Sequence, residues 1–230
     1  LYETLLAHLE PLKPQALYTD VWETHPRAVR FVRDRGFSES WRRIDSHLDV
    51  STFDFTLYAE LEETIGALGL ELKSYAALEN DPDRLEKLYE LNEKLWQDVP
   101  YGEAVTEKSL EHFAKEEVED PDFIPEACSI AVKESEFVGC SYLKRGDGYY
   151  MTEMTGVLRP YRGKGVATVL KLRGIEYAQA HGNLELRTTN DSVNMAMLSL
   201  NAKLGFTRQG ATVRFVKPIE NLEGSYQAHW

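Results

Sequence analysis

The chain has 230 residues, of which 43% are hydrophobic and 11% aromatic, and its formal net charge is −12. This composition excludes an intrinsically disordered chain and supports one large core or two modest ones. The negative charge argues against a nucleic-acid-binding protein, because phosphate contacts need a basic face, and it suits a cationic amine as ligand as well as ordinary solubility.

The cysteine content bears on the compartment and on metal binding. Cys128 and Cys140 are the only cysteines, and neither has a cysteine or histidine partner at the spacing of a metal site. We therefore expect no metal and a reduced, cytoplasmic protein. The sequence shows no signal peptide and no membrane span.

Residues 1 to 54 align with a later part of the same chain at a constant offset of 169, which is 205 minus 36. The aligned stretches are Leu17–Thr19 with Leu186–Thr188, Ala28 with Met197, and Gly36–Phe37 with Gly205–Phe206. On this alignment Leu1 corresponds to Leu170, inside a predicted helix. We therefore expect a degenerate repeat that begins partway through its unit, with the upstream strands missing.

The first repeat keeps a helix start but loses polar residues. His25–Pro26 predicts the beginning of a helix, with Pro at its first position, and the alternation over Trp41–Phe55 predicts two closing strands. His25 takes the place of Asn194, and Val32 takes that of Asn201. Because these two asparagines are not reproduced, we expect the first repeat to be structural.

The middle of the chain changes from helical to strand patterns. We expect a linking helix over Tyr58–Ala67, a strand over Leu70–Leu78, and a helix capped by Asp81 with Pro82 at its first position. Thr106 is expected to cap a shorter helix. Further strands are predicted over Cys128–Lys133, Phe137–Leu143, Tyr149–Val157 and Arg208–Val216.

The most informative stretch is Thr155–Ala167, in which a strand leads into a basic turn and then into a helical pattern. The first turn of a helix has unpaired N–H groups and a partial positive charge. Gly163 and Gly165 let the backbone approach an anion, while Arg162 and Lys164 add full charges. The stretch predicts a phosphate site, with a turn that binds nothing as the alternative, and its spacing excludes a nucleotide-triphosphate P-loop.

A second element follows, with a strand pattern over Leu184–Asn194 and a helical pattern over Met195–Phe206. Together the two elements resemble the GNAT superfamily of acyl-CoA-dependent N-acyltransferases. The R/Q-x-x-G-x-G/A motif of that family is matched by Arg162, Gly165 and Ala167, and its later strand, Asn-started helix and terminal Gly-Phe follow in the same order.

The resemblance implies an α/β (α+β) protein with the GNAT fold, a mixed and mostly antiparallel sheet flanked by helices, preceded by a partial GNAT-like repeat. Four segments are expected. Residues 1–56 would be the C-terminal half of a degenerate repeat, 57–69 a linker helix, 70–218 a complete acetyltransferase domain and 219–230 a tail.

The resemblance also implies the residues that hold acetyl-CoA. The backbone of Thr155, Gly156 and Val157 would pair with the pantetheine arm, and the Val157 N–H would donate to the thioester oxygen. The pyrophosphate would be held by Arg162, Gly163, Lys164, Gly165, Val166 and Ala167. Asn190, Asn194 and Asn201 complete the expected set, although helix capping alone would explain Asn194.

Glu153 is the candidate general base. It lies four residues before Val157 on one strand, which predicts a shared face, and GNAT proteins often place a Glu on this strand. Partial burial would raise its pKa from about 4.3 toward the working range of a base. A solvated surface Glu is the alternative.

The general acid departs from the family pattern. Many GNAT proteins have a Tyr seven residues after the Asn that starts the last helix, and here that position is Asn201. An Asn cannot protonate a thiolate, so Asn201 would only orient the cofactor. One of Tyr149, Tyr150 and Tyr161 would then act as the acid, or the thiolate would leave unprotonated, since a thiol has a pKa of about 8.5.

These expectations predict an enzyme that transfers an acetyl group from acetyl-CoA to a primary amine of a small molecule or peptide. One alternative is a non-catalytic GNAT module that binds CoA or a metabolite, and another is an acetyltransferase for a protein N-terminus or lysine. We expect no nucleic-acid or membrane partner. We also expect a monomer, because the internal repeat can supply the packing that single-repeat relatives obtain by dimerising.

Overall fold

The computed structural model describes residues 1–100, 108–182 and 185–219. The strands are β1 (Ala16–Trp22), β2 (Ser38–Asp49), β3 (Glu71–Ser74), β4 (Ser129–Lys133), β5 (Glu136–Arg145), β6 (Tyr150–Val157), β7 (Glu185–Asp191) and β8 (Thr207–Pro218). The α-helices are α1 (Tyr2–Leu9), α2 (Pro26–Arg33), α3 (Leu61–Ala67), α4 (Arg84–Trp96), α5 (Leu110–Phe113), α6 (Val166–Ala180) and α7 (Met195–Lys203).

The chain divides into two compact units. The smaller unit comprises Leu1–Arg43 and the residues from Gly210 onward, and the larger one is Ile44–Gln209. In the smaller unit β1 pairs with β8 in antiparallel register, from Ala16 opposite Pro218 to Trp22 opposite Thr212. Its core consists of Val21, Val32, Phe37, Val213 and Phe215.

The larger unit contains the sheet that positions the functional site. Its strands follow the order β7-β6-β5-β4-β3, in which β6 and β7 are parallel and the other pairs are antiparallel. This mixed, mostly antiparallel arrangement with helices on both faces is the predicted fold class. Antiparallel neighbours with short turns are expected where the connections are hairpins, whereas the β6–β7 crossover needs the helix α6.

The two faces of this sheet are separated by the alternation of apolar side chains along each strand. On β4, Ile130 and Val132 pack with Leu88, Leu91 and Leu95 of α4. Ala131, between them, packs on the other face with Val169 and Leu170 of α6. Because both faces are covered by a helix, these central strands are apolar on both sides.

The structure repeats its elements at the offset that the sequence alignment uses. Adding 169 to the bounds of β1 gives 185–191, the bounds of β7, and adding 169 to those of β2 gives 207–218, the bounds of β8. The helices α2 and α7 occupy equivalent positions, and Gly36 and Gly205 both have positive φ, at 79° and 87°. The strand, helix and strand of the two segments therefore follow in the same order, with strands of equal length and helices of 8 and 9 residues.

Two predicted strand regions were wrong in extent. The predicted pair of strands over Trp41–Phe55 is one strand, β2, which ends at Asp49. Its end is set by short polar side chains, because Asp49 accepts from the Ser51 N–H and Asp54 from the Thr56 N–H, both at 2.9 Å, and such turns compete with strand pairing.

The strand predicted over Leu70–Leu78 is also shorter than expected. β3 stops at Ser74. The Ser74 Oγ accepts a hydrogen bond from the Ala77 N–H at 3.1 Å, and a 3-10 turn follows over Ala76–Leu78. The predicted linking helix over Tyr58–Ala67 is shorter too, because Tyr58 ends a separate 3-10 turn and α3 begins at Leu61.

The predicted start of α4 was wrong by two residues. Asp83, and not Asp81, is the residue before the helix. Asp81 instead accepts from the Asp83 N–H at 3.0 Å and pairs with Lys87 Nζ at 2.7 Å. The predicted cap at Thr106 lies outside the described residues, and the described helix α5 is capped by Ser109, which accepts from the His112 N–H at 3.2 Å.

Candidate functional site

A cleft opens where β6 and β7 separate. The two strands pair over Tyr150–Thr152, and further along β6 a cavity of about 390 Å³ is lined by Thr155, Gly156 and Val157 together with the start of α6 and the first turns of α7. Parallel strands that diverge leave one backbone edge of each strand without a neighbour. The predicted strand edge at Thr155 and Val157, the predicted phosphate turn (residues 162–165) and the helix that Asn194 precedes therefore meet in one cleft.

A β-bulge precedes the cleft and overturns the predicted face of Glu153. Ser141 lies opposite Thr155 and Leu143 opposite Thr152, with a register shift between them, so Glu153 and Met154 share the position opposite one residue of β5. The extra residue shifts by one position the alternation of side chains between the two faces of the sheet. The prediction that Glu153 and Val157 share a face was wrong, because Val157 is buried against α6. Glu153 was also expected to be partly buried, whereas its side chain is exposed.

The bulge places the Glu153 carboxylate near Tyr142, whose pKa is raised mainly by burial and also by neighbouring charges that include Glu117 and Glu153. The Tyr142 hydroxyl donates to Glu117 Oε2 at 3.4 Å. Glu153 therefore lies on the face of the sheet that α4 covers, at the end of the cleft where β6 and β7 begin to separate.

The backbone of β6 presents Val157 to the cleft. The Leu158 N–H donates to Val138 O on β5 at 2.9 Å. Since successive residues of a strand point their backbone groups to opposite edges, Val157 directs its N–H and C=O to the edge away from β5. The Val157 carbonyl accordingly accepts from Arg162 Nε at 2.8 Å, and Thr155, two residues earlier, faces the same edge.

Gly156 packs closely against the Leu95 side chain of α4. A Cβ atom at this position would lie 2.7 Å from Cδ1 and 2.8 Å from Cδ2 of Leu95. By alternation its backbone groups point toward β5, so of the three residues predicted to pair with a pantetheine arm, Thr155 and Val157 have the suitable orientation. Gly156 instead lets α4 approach the strand.

The phosphate turn has the backbone geometry that the sequence predicts. Gly163 and Gly165 have φ values of 71° and 83°, a left-handed conformation that favours glycine. α6 begins directly afterwards at Val166, so the N–H groups of its first turn, which include those of Val166 and Ala167, have no intrahelical acceptor. No atom lies within 4 Å of the Cβ position of Gly163, so the turn has an open side.

The cations of the turn are held by the protein itself. Lys164 Nζ donates to Pro160 O at 3.0 Å. Arg162 Nη2 donates to Asp98 Oδ2 at 2.6 Å, and Arg159 Nε donates to both oxygens of the same carboxylate, at 3.1 and 3.2 Å. Hydrogen bonds from Arg159 and then Arg162 lower the pKa of Asp98 to about 2. Sequence reasoning missed Asp98, because nothing local connects it to a turn more than sixty residues away.

The asparagines divide between the cleft and the core. Asn194 caps α7 by accepting from the Met197 N–H at 3.2 Å, and it also lines the cleft. Asn201 is buried at 2% exposure, and its Nδ2 donates to Asn190 Oδ1 at 2.7 Å. The side chain of Asn201 is therefore used to hold Asn190 at the end of β7, and it is not among the residues that line the cleft.

The three alternative tyrosines occupy different surroundings. Tyr161 lines the cleft. Tyr149 stacks under the Arg187 guanidinium, with 3.8 Å from Cζ to the ring centroid, and Tyr150 packs against Tyr177 at 5.9 Å between centroids. Of these candidates for the general acid, Tyr161 alone is placed at the cleft.

Other chemical groups bear on the kind of site. Cys128 and Cys140 are free and fully buried, and burial raises the pKa of the Cys140 thiol to about 12, so it is not a thiolate at neutral pH. Among residues 1–100, 108–182 and 185–219, no group of three or more His, Cys, Asp or Glu side chains could hold a metal ion. No described helix has the length and apolar character needed to cross a membrane.

Comparison with known proteins gives a family and a fold. The model of the acetyltransferase (GNAT) family matches residues 85–206. N-alpha-acetyltransferase MAK3 of Arabidopsis thaliana is 33% identical over 90 residues, which cover 36% of this chain and 46% of that protein. The chain thus spans about half the length of the curated relative that it matches.

Two solved structures have the same fold. A tandem GNAT protein from the clavulanic acid biosynthesis pathway has a TM-score of 0.67 at 20% identity, covering 94% of this chain and 69% of that one. A GCN5-related N-acetyltransferase from Sphaerobacter thermophilus has a TM-score of 0.64 at 17% identity, covering 88% of this chain and 59% of that one. With the family model matching more than half of its length, the chain belongs to the GNAT acetyltransferase family.

Proposed function

We propose that this chain transfers an acetyl group from acetyl-CoA to a primary amine of a small molecule or peptide. The observation that best supports the proposal is the continuity of the cleft. A strand edge at Thr155 and Val157 leads directly to the N-terminus of α6, in a member of the GNAT acetyltransferase family.

The residues of the cleft fit acetyl-CoA, which would supply an acetyl group activated as a thioester. The first-turn N–H groups of α6 and the open side of Gly163 suit a pyrophosphate, with Lys164 and Arg162 adjacent. The backbone groups of Thr155 and Val157 suit an amide-containing pantetheine arm, which can pair with them as an added strand would. Asn194 lies beside this path, on α7.

Each catalytic requirement has a candidate group in this cleft or beside it. The Val157 N–H would donate to the thioester oxygen as negative charge develops there, an interaction that contributes about 10²–10³ in rate where it has been measured. Glu153 would accept the proton of the acceptor ammonium, directly or through water. Asn201 would act on the site by holding Asn190, and Tyr161 would be the group placed to protonate the leaving thiolate.

A protein N-terminus is a second candidate acceptor. The observation that favours it is the 33% identity to an N-alpha-acetyltransferase. Turnover on short peptides with a free α-amine, but not on polyamines or amino sugars, would support this acceptor. A protein that binds CoA and turns over none of these amines would instead be a sensor or scaffold.

The internal repeat is part of the proposal. The equal bounds of β1 and β7, and of β2 and β8, at an offset of 169 support a degenerate first repeat over residues 1–56, a linker at 57–69 and an acetyltransferase domain at 70–218. The tandem architecture of a structural neighbour supports it as well. We infer a monomer that acts in the cytoplasm, without nucleic acid or membrane as partner.

The test of cofactor binding uses a matched pair of variants at Ala167, the second residue of α6. Ala167→Glu places a carboxylate in the first turn of the helix, where it suits the helix dipole and preserves the fold but repels a phosphate. Ala167→Gln has the same size and no charge. Acetyl-CoA at 100 times its Kd should add about 2.7 kcal/mol to stability, and thermal melting would detect it.

We expect acetyl-CoA to raise the melting temperature of the wild type and of Ala167→Gln more than that of Ala167→Glu. If acetyl-CoA does not stabilise the wild type, the proposed function is wrong for this chain. Equal stabilisation of the Glu and Gln variants would show that the helix N-terminus is not part of the phosphate site. The proposal that the chain binds acetyl-CoA would still stand.

A further inference from the structure

We infer that Asp98 is a positioning residue of the acetyl-CoA site, where its carboxylate holds the guanidinium groups of Arg159 and Arg162 for contact with the phosphates. The inference rests on the proposed function, because it adds a residue to the same cleft. Asp98 follows the end of α4 and lines that cleft.

Asp98 makes several hydrogen bonds with two arginines. Its side chain is 16% exposed and accepts from Arg159 Nε at 3.1 and 3.2 Å, from Arg159 Nη2, and from Arg162 Nη2 at 2.6 Å. One carboxylate therefore serves two cations, and charge-assisted bonds of this kind are among the stronger hydrogen bonds in proteins. The cluster of these three residues retains one net positive charge.

Arg162 has a second anchor at the cleft. Its Nε donates to the Val157 carbonyl at 2.8 Å, so its guanidinium spans from the end of α4 to the last residue of β6. Two fixed contacts determine the direction of a planar guanidinium. Asp98 thus sets where Arg162 presents its other N–H groups.

Both arginines have exposed side chains and more N–H donors than these contacts use. The side chain of Arg159 is 78% exposed and that of Arg162 is 45% exposed, and each guanidinium has five N–H donors. Without Asp98, two long side chains would have to be ordered when the phosphates bind, which weakens binding.

The opposite possibility is a latch, in which Asp98 competes with the phosphates for the same arginines. A latch would need the contacts of Asp98 to break on binding. The 16% exposure of Asp98 and the second anchor of Arg162 on Val157 favour contacts that persist, because each guanidinium keeps N–H groups beyond those that these contacts use.

The test compares two ligands that differ in the phosphates. Acetyl-CoA carries them, and S-acetylpantetheine lacks the whole nucleotide. Dissociation constants of both would be measured by NMR titration, which also reaches millimolar affinities. We expect Asp98→Asn to weaken acetyl-CoA binding about tenfold and to leave S-acetylpantetheine binding unchanged within about twofold. A general disturbance of α4 would weaken both ligands.

Asp81→Asn is the matched control at the other end of α4. Asp81 is 24% exposed and pairs with Lys87 Nζ at 2.7 Å, so the variant also removes a carboxylate from an ion pair. It should bind both ligands as the wild type does. If Asp98→Asn does not fold, Arg159→Gln tests the same inference from an exposed position, with the same selective loss expected for acetyl-CoA.

Three results would overturn the inference while leaving the proposed function in place. These are unchanged acetyl-CoA binding in Asp98→Asn, equal losses for both ligands, or tighter acetyl-CoA binding, which would identify a latch. A wild-type protein that binds neither ligand would instead refute the proposed function, and the inference with it.

Discussion

Lys171 is a lysine whose side chain is buried in the larger unit. It lies on α6 at 4% exposure, with its Nζ 5.2 Å from the ring centroid of Phe206. Burial lowers its pKa from 10.5 to about 7, since a charged ammonium is poorly solvated there. Sequence periodicity did not single it out, because a Lys at that position of a helix is usually read as a surface residue.

Lys171→Met should stabilise the protein and flatten its pH dependence. The unfolded chain holds the Lys171 proton up to a pH near 10.5, whereas the folded protein releases it above about 7, so this group makes the free energy of unfolding rise with pH over that window. Below pH 7 both states are protonated, and the burial cost is then at its full size, on the order of a few kcal/mol.

Urea unfolding at pH 6 and pH 9 would measure this effect. The wild type should gain stability between the two values, and Lys171→Met should be more stable at pH 6 and gain less. Lys203→Met, at an exposed position of α7, is the control for removing a charge. A Lys171→Met variant that is less stable than the wild type at pH 6 would contradict the argument.

Glu153→Gln tests the candidate base. The substitution keeps the size of the side chain and removes its ability to accept a proton, so kcat should fall by roughly 10²–10⁴ while acetyl-CoA binding stays unchanged. Glu136→Gln, at the exposed start of β5, controls for the loss of a carboxylate. A kcat within about twofold of wild type would assign proton transfer elsewhere.

At the scale of elements, the packing of α4 on β6 shapes the cleft. Leu95 occupies the space that a Cβ at Gly156 would need, and it also lines the cleft. A helix and a strand can approach this closely only where one side chain is absent. The bulge at Glu153 and Met154 lies on the same strand and bends it just before the cleft.

Gly156→Ala should destabilise the protein by about 1–3 kcal/mol, because Leu95 must move. Leu95→Ala alone should cost about 2–5 kcal/mol for the lost packing. The double variant should cost less than the sum, since the shortened side chain makes room for the new methyl group. Equilibrium urea unfolding of all four proteins gives the coupling, and strictly additive costs would show that the two residues do not compete for space.

At the scale of the whole molecule, strands are exchanged between the segments that align as repeats. β8, which follows α7, pairs with β1 in the smaller unit. In the larger unit the C-terminal part of β2 lies next to β7, where His47 Nδ1 is 3.7 Å from Glu185 Oε1. Each of these neighbouring pairs thus combines a strand of one aligned segment with a strand of the other.

We expect a monomer in solution, because the exchanged strands belong to one chain and need no second copy. Light scattering coupled to size-exclusion chromatography should give a mass near 26.3 kDa at concentrations from micromolar to about a hundred micromolar. A constant mass of twice that value over this range would refute the expectation.

The phosphate turn and the order of strands and helices were predictable because their causes are local. Gly163 and Gly165 are needed for positive φ wherever that turn occurs, and period-two alternation located β4, β5 and β6 within one or two residues. The wrong boundaries, at Asp49, Ser74 and Asp81, lie where short polar side chains bond to a nearby backbone N–H, a competition that periodicity does not register.

The positions of the candidate site residues were predictable where the sequence motif fixes them, and unpredictable where they depend on contacts between distant parts of the chain. Asn201 matched the position of a catalytic Tyr, yet only the structure shows that it is buried against Asn190. The extra residue at Glu153 became visible only through pairing with β5, since a bulge depends on the register of the partner strand.

The sequence by itself determined the family, the left-handed backbone at Gly163 and Gly165, and the positions of most strands, because each depends on residues that are close together or evenly spaced in the chain. The tertiary structure alone decided the side of β6 on which Glu153 lies, the contact of Leu95 with Gly156, and the joining of Asp98 to Arg159 and Arg162. The physical reason is that pairing register and side-chain contact depend on elements brought together from distant parts of the chain.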